Sequence, residues 1–479
     1  MKHFRLALLL GSFWPACTDA QNFAGLAASR YAGIHQVYSN PALIAGSPYR
    51  VQLNLLAGNA NIYNNYADWA GPYRLSRLVF GGVPDKYLNS DGGPAFEPEY
   101  FRENLNGKSK NITGWAEVRG PGALFDLGQG NSLAITTRMR AAVQGFGLSE
   151  NLLSLIRQGF DLAALWNVTN VDNAFTVNGN AYGEIALTYA GTLSRQGPHV
   201  WKAGFTIKKL VGFYSAHIRN RGLSYRVVED PDRPGRGLFV LDKMDLDFGY
   251  TDQEATRGGL NLRKFLGSKM PGSGWGADLG ISYEYQPEED GDYTLRLSAS
   301  VLDLGAVRYE DKEQIRGYNV QRENRTIRQE EFDGITGSDE LVRFIEAKME
   351  LQPSEAKTRF TSGLPTALNL QADIRMGDMF YLGATYIRDL RAANAISMRQ
   401  PTMLTVTPRW EFGKGLEIAL PVHWIFQTLS PGVAVRLGPA FAGTDNLIGL
   451  FGSGSRIAPK GMDLYAGLTL PLGKPASRK

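Results

Sequence analysis

One cysteine, Cys17, stands among the 479 residues, so no disulfide can form within the chain. The sequence also lacks any run of about 20 apolar residues, the length a membrane-crossing helix requires. Histidine is scarce: His3, His35, His199, His217 and His423. No two of them have metal-ligand spacing on one element, and His-Glu-x-x-His is absent. Dinucleotide fingerprints and phosphate loops are missing, and Gly449 to Ser455 holds no strict Gly-x-Ser-x-Gly. His423, beside Trp424, is the histidine best placed for catalysis. A general base needs a partner within reach, and a hydrogen-bonded structural histidine is the expectation there. The chain therefore reads as a non-enzyme with no catalytic residue, cofactor or metal. Its net charge of +4, without a long basic block, gives no footprint for nucleic acid.

What the chain does contain is alternation. Leu368, Leu370, Ala372, Ile374 and Met376 interleave with Asn369, Gln371, Asp373 and Arg375. Successive side chains of a strand point to opposite faces, so one face is apolar and the other charged. The pattern recurs at 51–55, 133–144, 182–193 and 200–211, and more weakly at 236–250. Leu279 to Tyr285 and Tyr293 to Val301 form the clearest hairpin, joined by the turn chemistry of Pro287 to Gly291. Further strands are expected at 379–388, 404–412, 416–424, 433–441 and 464–472. Glycine (55) and aromatics (21 Tyr, 23 Phe, 8 Trp) are abundant. A large secreted β-sandwich would share the strand spacing.

Residues 1–20 have the form of an export signal: Lys2, His3 and Arg5, then apolar Leu6 to Phe13, then small residues before Gln21. Acylation at Cys17 is the rival processing, but Trp14-Pro15-Ala16 is a poor lipobox. Export followed by amphipathic strands points to the bacterial outer membrane. The expected fold is all-β: a transmembrane antiparallel barrel of roughly 14 strands with short inserted helices, apolar side outward. The barrel would occupy 21–472, with a tail at 473–479.

Four segments break the strand pattern. In 21–48, Asn40-Pro41-Ala42 has the cap and first-position proline of a short helical turn, so this stretch reads as a plug. Residues 59–111 read as an irregular loop or plug. In 149–165, Leu152, Leu155, Ile156, Phe160 and Ala163 recur at helical spacing behind Ser149. The densely charged 305–362 reads as a solvated insertion with a helix starting at Ser338-Asp339-Glu340, carrying Leu341, Phe344, Ile345 and Met349 on one face. Residues Leu447 to Phe451 fit either one more strand or a loop.

On the polar faces lie Arg138, Arg140, Glu184, Arg296, Asp373, Arg375, Arg409, Glu411, Glu417 and Arg436, the candidate lumen-lining set. Opposite charges on adjacent strands would pair across the sheet, either packing a closed barrel or forming a charged path for solutes.

Several short motifs carry a resemblance: Asn40-Pro41-Ala42, Gly276-Ala277-Asp278-Leu279-Gly280, Leu302-Asp303-Leu304-Gly305, Thr407-Pro408-Arg409, and Arg436-Leu437-Gly438-Pro439 with Gly443-Thr444-Asp445-Asn446. The chain resembles Bacteroidota outer-membrane barrels of the domain of unknown function family 5723 and, more distantly, PorV and FadL-type barrels. The resemblance implies an outer-membrane barrel and, by analogy with the FadL type, a channel or transporter for small or amphipathic solutes. The alternative is a structural or docking barrel for secretion, adhesion or gliding partners. Expected partners are the outer-membrane bilayer, the barrel-assembly machinery during insertion, and a small solute or protein. The mature chain is expected to begin at Gln21. Intact mass decides this, and a diacylglyceryl adduct on Cys17 would reject it.

Overall fold

Alternating side chains need a sheet with two different faces, and a sheet in lipid must leave no open edge. The chain meets both demands by closing on itself. A computed structural model describes residues 23–89, 92–171, 173–251, 270–288, 292–312, 314–333, 338–452 and 459–473. The export signal, residues 289–291 of the expected turn, Ser453 to Ser455 and the tail from 474 lie outside the described residues.

The first strands are β1 (Val51–Asn64), β2 (Lys110–Arg119, continued by Gly122–Gly128), β3 (Asn131–Leu148), β4 (Thr176–Gln196) and β5 (His199–Glu229). Then come β6 (Gly237–Thr251), β7 (Gly272–Tyr285), β8 (Leu295–Glu310) and β9 (Ile315–Arg328). The last third supplies β10 (Arg359–Gly363 and Ala367–Arg375), β11 (Phe380–Asp389), β12 (Met403–Phe412) and β13 (Leu416–Ala419 and Val422–Ile425). It ends with β14 (Thr428–Pro431 and Val433–Leu437), β15 (Ala440–Thr444) and β16 (Gly461–Leu472). Each pairs antiparallel with its neighbours, and β1 pairs with β16 from Val51↔Leu472 to Tyr63↔Gly461. The result is a closed barrel of 14 strands, with β6 and β9 outside the wall. No helix among the described residues is long and apolar enough to cross a membrane.

The two faces fall as alternation requires. Leu370, Trp410 and Leu468 are 36–40% exposed on the outside. Their sequence neighbours Gln371, Arg409 and Thr469 are buried inside, as is Arg296 beside Leu295. The start of β1, the end of β16 and short turns such as Gly197-Pro198 and Gly413-Gly415 share one end of the barrel. Long connections share the other.

β5 is 31 residues long, and only its first half belongs to the wall. From His199 to Gly212 it pairs with β7. From Ala216 to Glu229 it pairs with β6, which pairs in turn with β9. These strands rise past the wall as a fin. Its apolar face carries Leu223, Tyr225, Val227, Leu241, Phe248 and Val320. Two helices pack against it: α1 (Glu150–Gln158) through Leu152 and Leu155, and α2 (Ser338–Lys348) through Phe344 and Ile345, with Met349 just beyond. Ser149 caps α1 by accepting from the Leu152 N–H at 3.2 Å. A short ribbon, Ala67–Trp69 against Phe101–Glu103, braces α1: Glu103 accepts from Arg157 Nε at 2.8 Å and Tyr66 Oη at 2.5 Å. Burial alone would raise the Glu103 carboxyl, but these bonds outweigh it and hold it below the usual carboxylate range.

Four expectations need correction. Residues 59–111 are not all irregular, since β1 runs to Asn64 and β2 starts at Lys110. The helix after Ser149 ends at Gln158, where Gly159 takes a positive φ. Residues 305–362 are not one solvated excursion: they hold the end of β8, all of β9 and the start of β10, and β8 pairs with β10 through Ala306↔Gly363. Charge misled the reading there because one face of β9 meets water while the other is covered. Leu447–Phe451 is a short helix, α3, capped by Asn446 accepting from the Gly449 N–H at 2.8 Å.

Replacing Leu370 by Arg puts a cation on the outer face, 40% exposed, and is expected to cost about 2–4 kcal/mol near the bilayer midplane. Urea unfolding from lipid vesicles measures this. An unchanged midpoint would mean that this face does not meet lipid.

Candidate functional site

The closed wall surrounds a space, and the chain fills it with its own N-terminal segment. Ser29 starts a 3-10 turn (Arg30–Tyr38), its Oγ accepting from the Tyr31 N–H at 3.1 Å. Asn40 starts a second (Pro41–Ile44), its Oδ1 accepting from the Ala42 N–H at 2.9 Å. Proline fits there because the first helical N–H has no partner to lose. Phe23, Leu26, Ile34, Val37, Leu43 and Ile44 are buried. This segment is the plug.

Turn chemistry and wall contact meet at Asn40. Its Nδ2 donates to the carbonyls of Ile281 and Ala299, both at 3.1 Å. The wall makes room with two glycines: a Cβ on Gly280 would sit 2.0 Å from Asn40 Oδ1, and one on Gly204 would sit 2.5 Å from the Pro41 carbonyl carbon. Further anchors are side-chain bonds. Ser300 Oγ and Asn369 Nδ2 donate to the Ser39 carbonyl at 2.7 and 3.0 Å. The Ile34 N–H donates to Gln52 Oε1 at 2.7 Å. Arg296 donates to the Ala28 carbonyl.

Two groups of buried charges flank the plug. In the first, Glu117 binds Arg119 Nε at 2.6 Å and both Arg138 Nη1 and Arg140 Nε at 3.1 Å. Arg138 Nε reaches Glu184 at 2.6 Å, and Arg140 Nη1 reaches Asp303 at 2.6 Å. Lys208 bridges Asp303 at 2.6 Å and Asp278 at 2.7 Å. The Arg119 guanidinium lies between the Phe23 and Tyr38 rings of the plug, 3.8 and 4.1 Å from their centroids.

In the second group, Arg409 binds Asp373 at 2.9 Å and Glu411 at 2.8 Å. Arg436 binds Glu417 at 3.1 Å, and Arg296 stands 3.7 Å from Asp373. Ser29 of the plug donates to Glu417 at 2.6 Å. Burying so many ions is tolerable only because opposite charges meet.

The sequence-derived residues thus divide. Arg138, Arg140 and Glu184 join the first group. Arg296, Asp373, Arg409, Glu411, Glu417 and Arg436 join the second. Arg375 joins neither: it lies at the end of β10, donating to the Gly377 carbonyl at 3.0 Å. Reading the sequence missed Glu117, Arg119, Lys208, Asp278 and Asp303. β2 was hard to read because its outward face mixes Gly114 and Ala116 with Ile112 and Val118, while the large apolar Trp115 points inward. Lys208 did show on the polar face of a recognised strand. His423 is buried, its Nδ1 2.7 Å from Thr405 Oγ1 and its Nε2 3.5 Å from Asp445. Among the described residues, no group of three or more His, Cys, Asp or Glu side chains is arranged to hold a metal.

At the long-connection end lies a cavity of about 610 Å³, lined among others by Phe146, Phe175, Tyr386, Trp424, Phe426 and Arg399. The 390–402 connection leans across it. Arg399 N–H donates to Gln144 Oε1, and Gln144 Nε2 donates back to the Arg399 carbonyl, both at 2.7 Å.

A Gly280→Ala change sets a methyl against Asn40. It is expected to destabilise the plug by about 1–3 kcal/mol while the wall still closes. Protease cleavage within 23–49 of a heat-modifiable barrel would report this. Cleavage at the wild-type rate would show that Asn40 does not hold the plug.

The chain resembles several solved structures at low identity. The toluene transporter TbuX of Ralstonia pickettii is 10% identical, with 91% of this chain and 92% of that one covered and a TM-score of 0.36. The deltaS2S3 mutant of TodX, a monoaromatic hydrocarbon channel, is 10% identical with 92% and 95% covered and a TM-score of 0.42. A Pseudomonas aeruginosa FadL homologue is 12% identical with 92% and 94% covered and a TM-score of 0.29. No curated protein matches the chain in sequence. The model of a family of unknown function, DUF5723, matches residues 41–445, from the plug's Pro41 to Asp445 beside His423. This closed outer-membrane-type barrel belongs to that family.

Proposed function

We propose that the protein is an outer-membrane channel for small or amphipathic solutes, shut by its own N-terminal plug. The observation that carries this reading is how the plug is held. Its backbone-to-backbone hydrogen bonds over 23–47 are internal to the segment, and the wall holds it through side chains, ion pairs and apolar contact. Such a segment can leave without breaking a single strand pair of the barrel. A plug woven into the sheet could not.

Orientation follows from the two unlike ends. Bacterial barrels turn tightly on the periplasmic side and carry long loops outside. The cavity beside Phe146 and Trp424 then opens outward, and the plug's link to β1 at Val51 lies on the periplasmic side. Aromatic rings beside one ion pair, Arg399 with Asp389 at 2.5 Å, suit solutes that combine an apolar body with a polar group. The 10 charged candidates from the sequence become, in this reading, the lining that a solute meets after the plug moves.

Planar-bilayer recording and liposome swelling test the proposal. The full chain is expected to show rare openings. Asn40→Ala removes the cap and both bonds to the wall, and should raise the open fraction about tenfold or more if each bond contributes about 1 kcal/mol. Absence of flux in both proteins would overturn the channel reading in favour of a docking barrel.

A further inference from the structure

Glu411 and Glu417 lie directly opposite each other on β12 and β13. Like charges in that position repel, so cations must hold them. Arg409 reaches Glu411 Oε1 at 2.8 Å, and Arg436 reaches Glu417 Oε2 at 3.1 Å. The other oxygens are left over. Glu411 Oε2 and Glu417 Oε1 are buried, and neither accepts a hydrogen bond. Arg409 Nε stands 3.8 Å from Glu417 Oε1, beyond hydrogen-bond range.

The cation set against this pair comes from the plug. Arg30 Nε lies 3.1 Å from Glu411 Oε2, and its Nη1 pairs with Asp292. Yet Arg30 Nε is itself buried without a hydrogen bond. Proximity supplies charge, but the alignment that a guanidinium and a carboxylate prefer is missing. The guanidinium is held by other partners: Nη1 pairs with Asp292 and Nη2 donates to Tyr31 Oη.

Charge counting sharpens the point. With the plug seated, Arg30, Arg296, Arg409 and Arg436 face Asp292, Asp373, Glu411 and Glu417. With the plug gone, Arg30 leaves and the buried Glu411 Oε2 loses the cation set against it, while Asp292, 39% exposed, can meet water. Stripping a buried carboxylate of a partner is costly. Plug departure therefore favours the arrival of another cation. A guanidinium fits best, because its flat fork can bond two carboxylate oxygens at once, where an ammonium acts as a point charge.

We infer that Glu411, Glu417 and Asp292 form a receptor for a solute's guanidinium group, occupied by the plug's Arg30 until such a solute displaces it. The inference rests on the plugged-channel reading for its role, while the receptor is testable without transport.

The probe is methylguanidinium, with tetramethylammonium as a cation that cannot donate hydrogen bonds. Arg30→Gly in the full chain opens the position. Methylguanidinium is expected to raise its melting midpoint saturably and tetramethylammonium to leave it unchanged. Adding Glu411→Gln should weaken the apparent affinity about tenfold or more. Arg30→Gln, which keeps a side chain of similar reach, serves if glycine prevents assembly. No saturable shift, or an equal shift with tetramethylammonium, overturns the receptor.

Liposome uptake forms the second arm. Wild-type protein is expected to admit methylguanidinium faster than neutral methylurea, with the preference lost in Glu411→Gln. Binding without a preference in uptake would overturn the solute role. General solute flux without binding would overturn the receptor and leave the channel reading intact.

Discussion

The pairing of β1 with β16 governs what the rest of the chain can do. Until Val51 meets Leu472 and Tyr63 meets Gly461, two sheet edges face lipid with unpaired N–H and C=O groups, which hydrocarbon cannot solvate. Once they meet, every inward side chain is enclosed in a space of fixed girth. That space must then be filled with water, ion pairs or protein. Here the filling includes both ion pairs and a folded segment of the chain itself. The wall was shaped for it: Gly204 and Gly280 are absent side chains where Pro41 and Asn40 press close.

Enclosure also explains the two charged groups. An arginine on an inward face would be costly alone in a confined space, so each is paired with carboxylates on its own or nearby strands. Arg138 touches Glu117 and Glu184; Arg409 touches Asp373 and Glu411. These links cross several strands and bind the wall circumferentially, as the sheet ladder does at the backbone. The plug enters both groups, through Tyr38 and Phe23 on Arg119 and through Ser29 and Arg30 on the glutamates. The interior is thus one electrostatic unit, and any motion of the plug changes the balance of the wall.

How much of this was legible depended on what each residue faces. Strands with large apolar residues on one side, such as Leu368 to Ile374, were plain, because lipid rewards size on that face. β2 was hidden by Gly114 and Ala116 among its outward residues and by Trp115 on its inward face, and with it Glu117 and Arg119. The fin was visible as strand-like sequence at 236–250, but alternation names no partner, so its departure from the wall was not. Asn40-Pro41 announced a turn through local chemistry. The burial of Ile34 and Val37 follows no period, since a plug surrounded on all sides has no solvent face to alternate with. Arg375 shares a face with Asp373 and still stands apart, because it lies at the strand's end. Face can be read from period two; depth along the barrel cannot.

The plug's attachment has one further consequence. It joins β1 through only the few residues between Ile44 and Val51, about 3.5 Å of reach per residue. A released plug therefore never becomes dilute. It stays within a few nanometres of its seat, at an effective concentration on the order of millimolar. Reclosure is then set by geometry and hardly at all by protein abundance, and each barrel carries its own competitor. In the proposed channel, a solute would hold the interior open only while its local abundance, or its fit to the wall, exceeds that of a segment that cannot diffuse away.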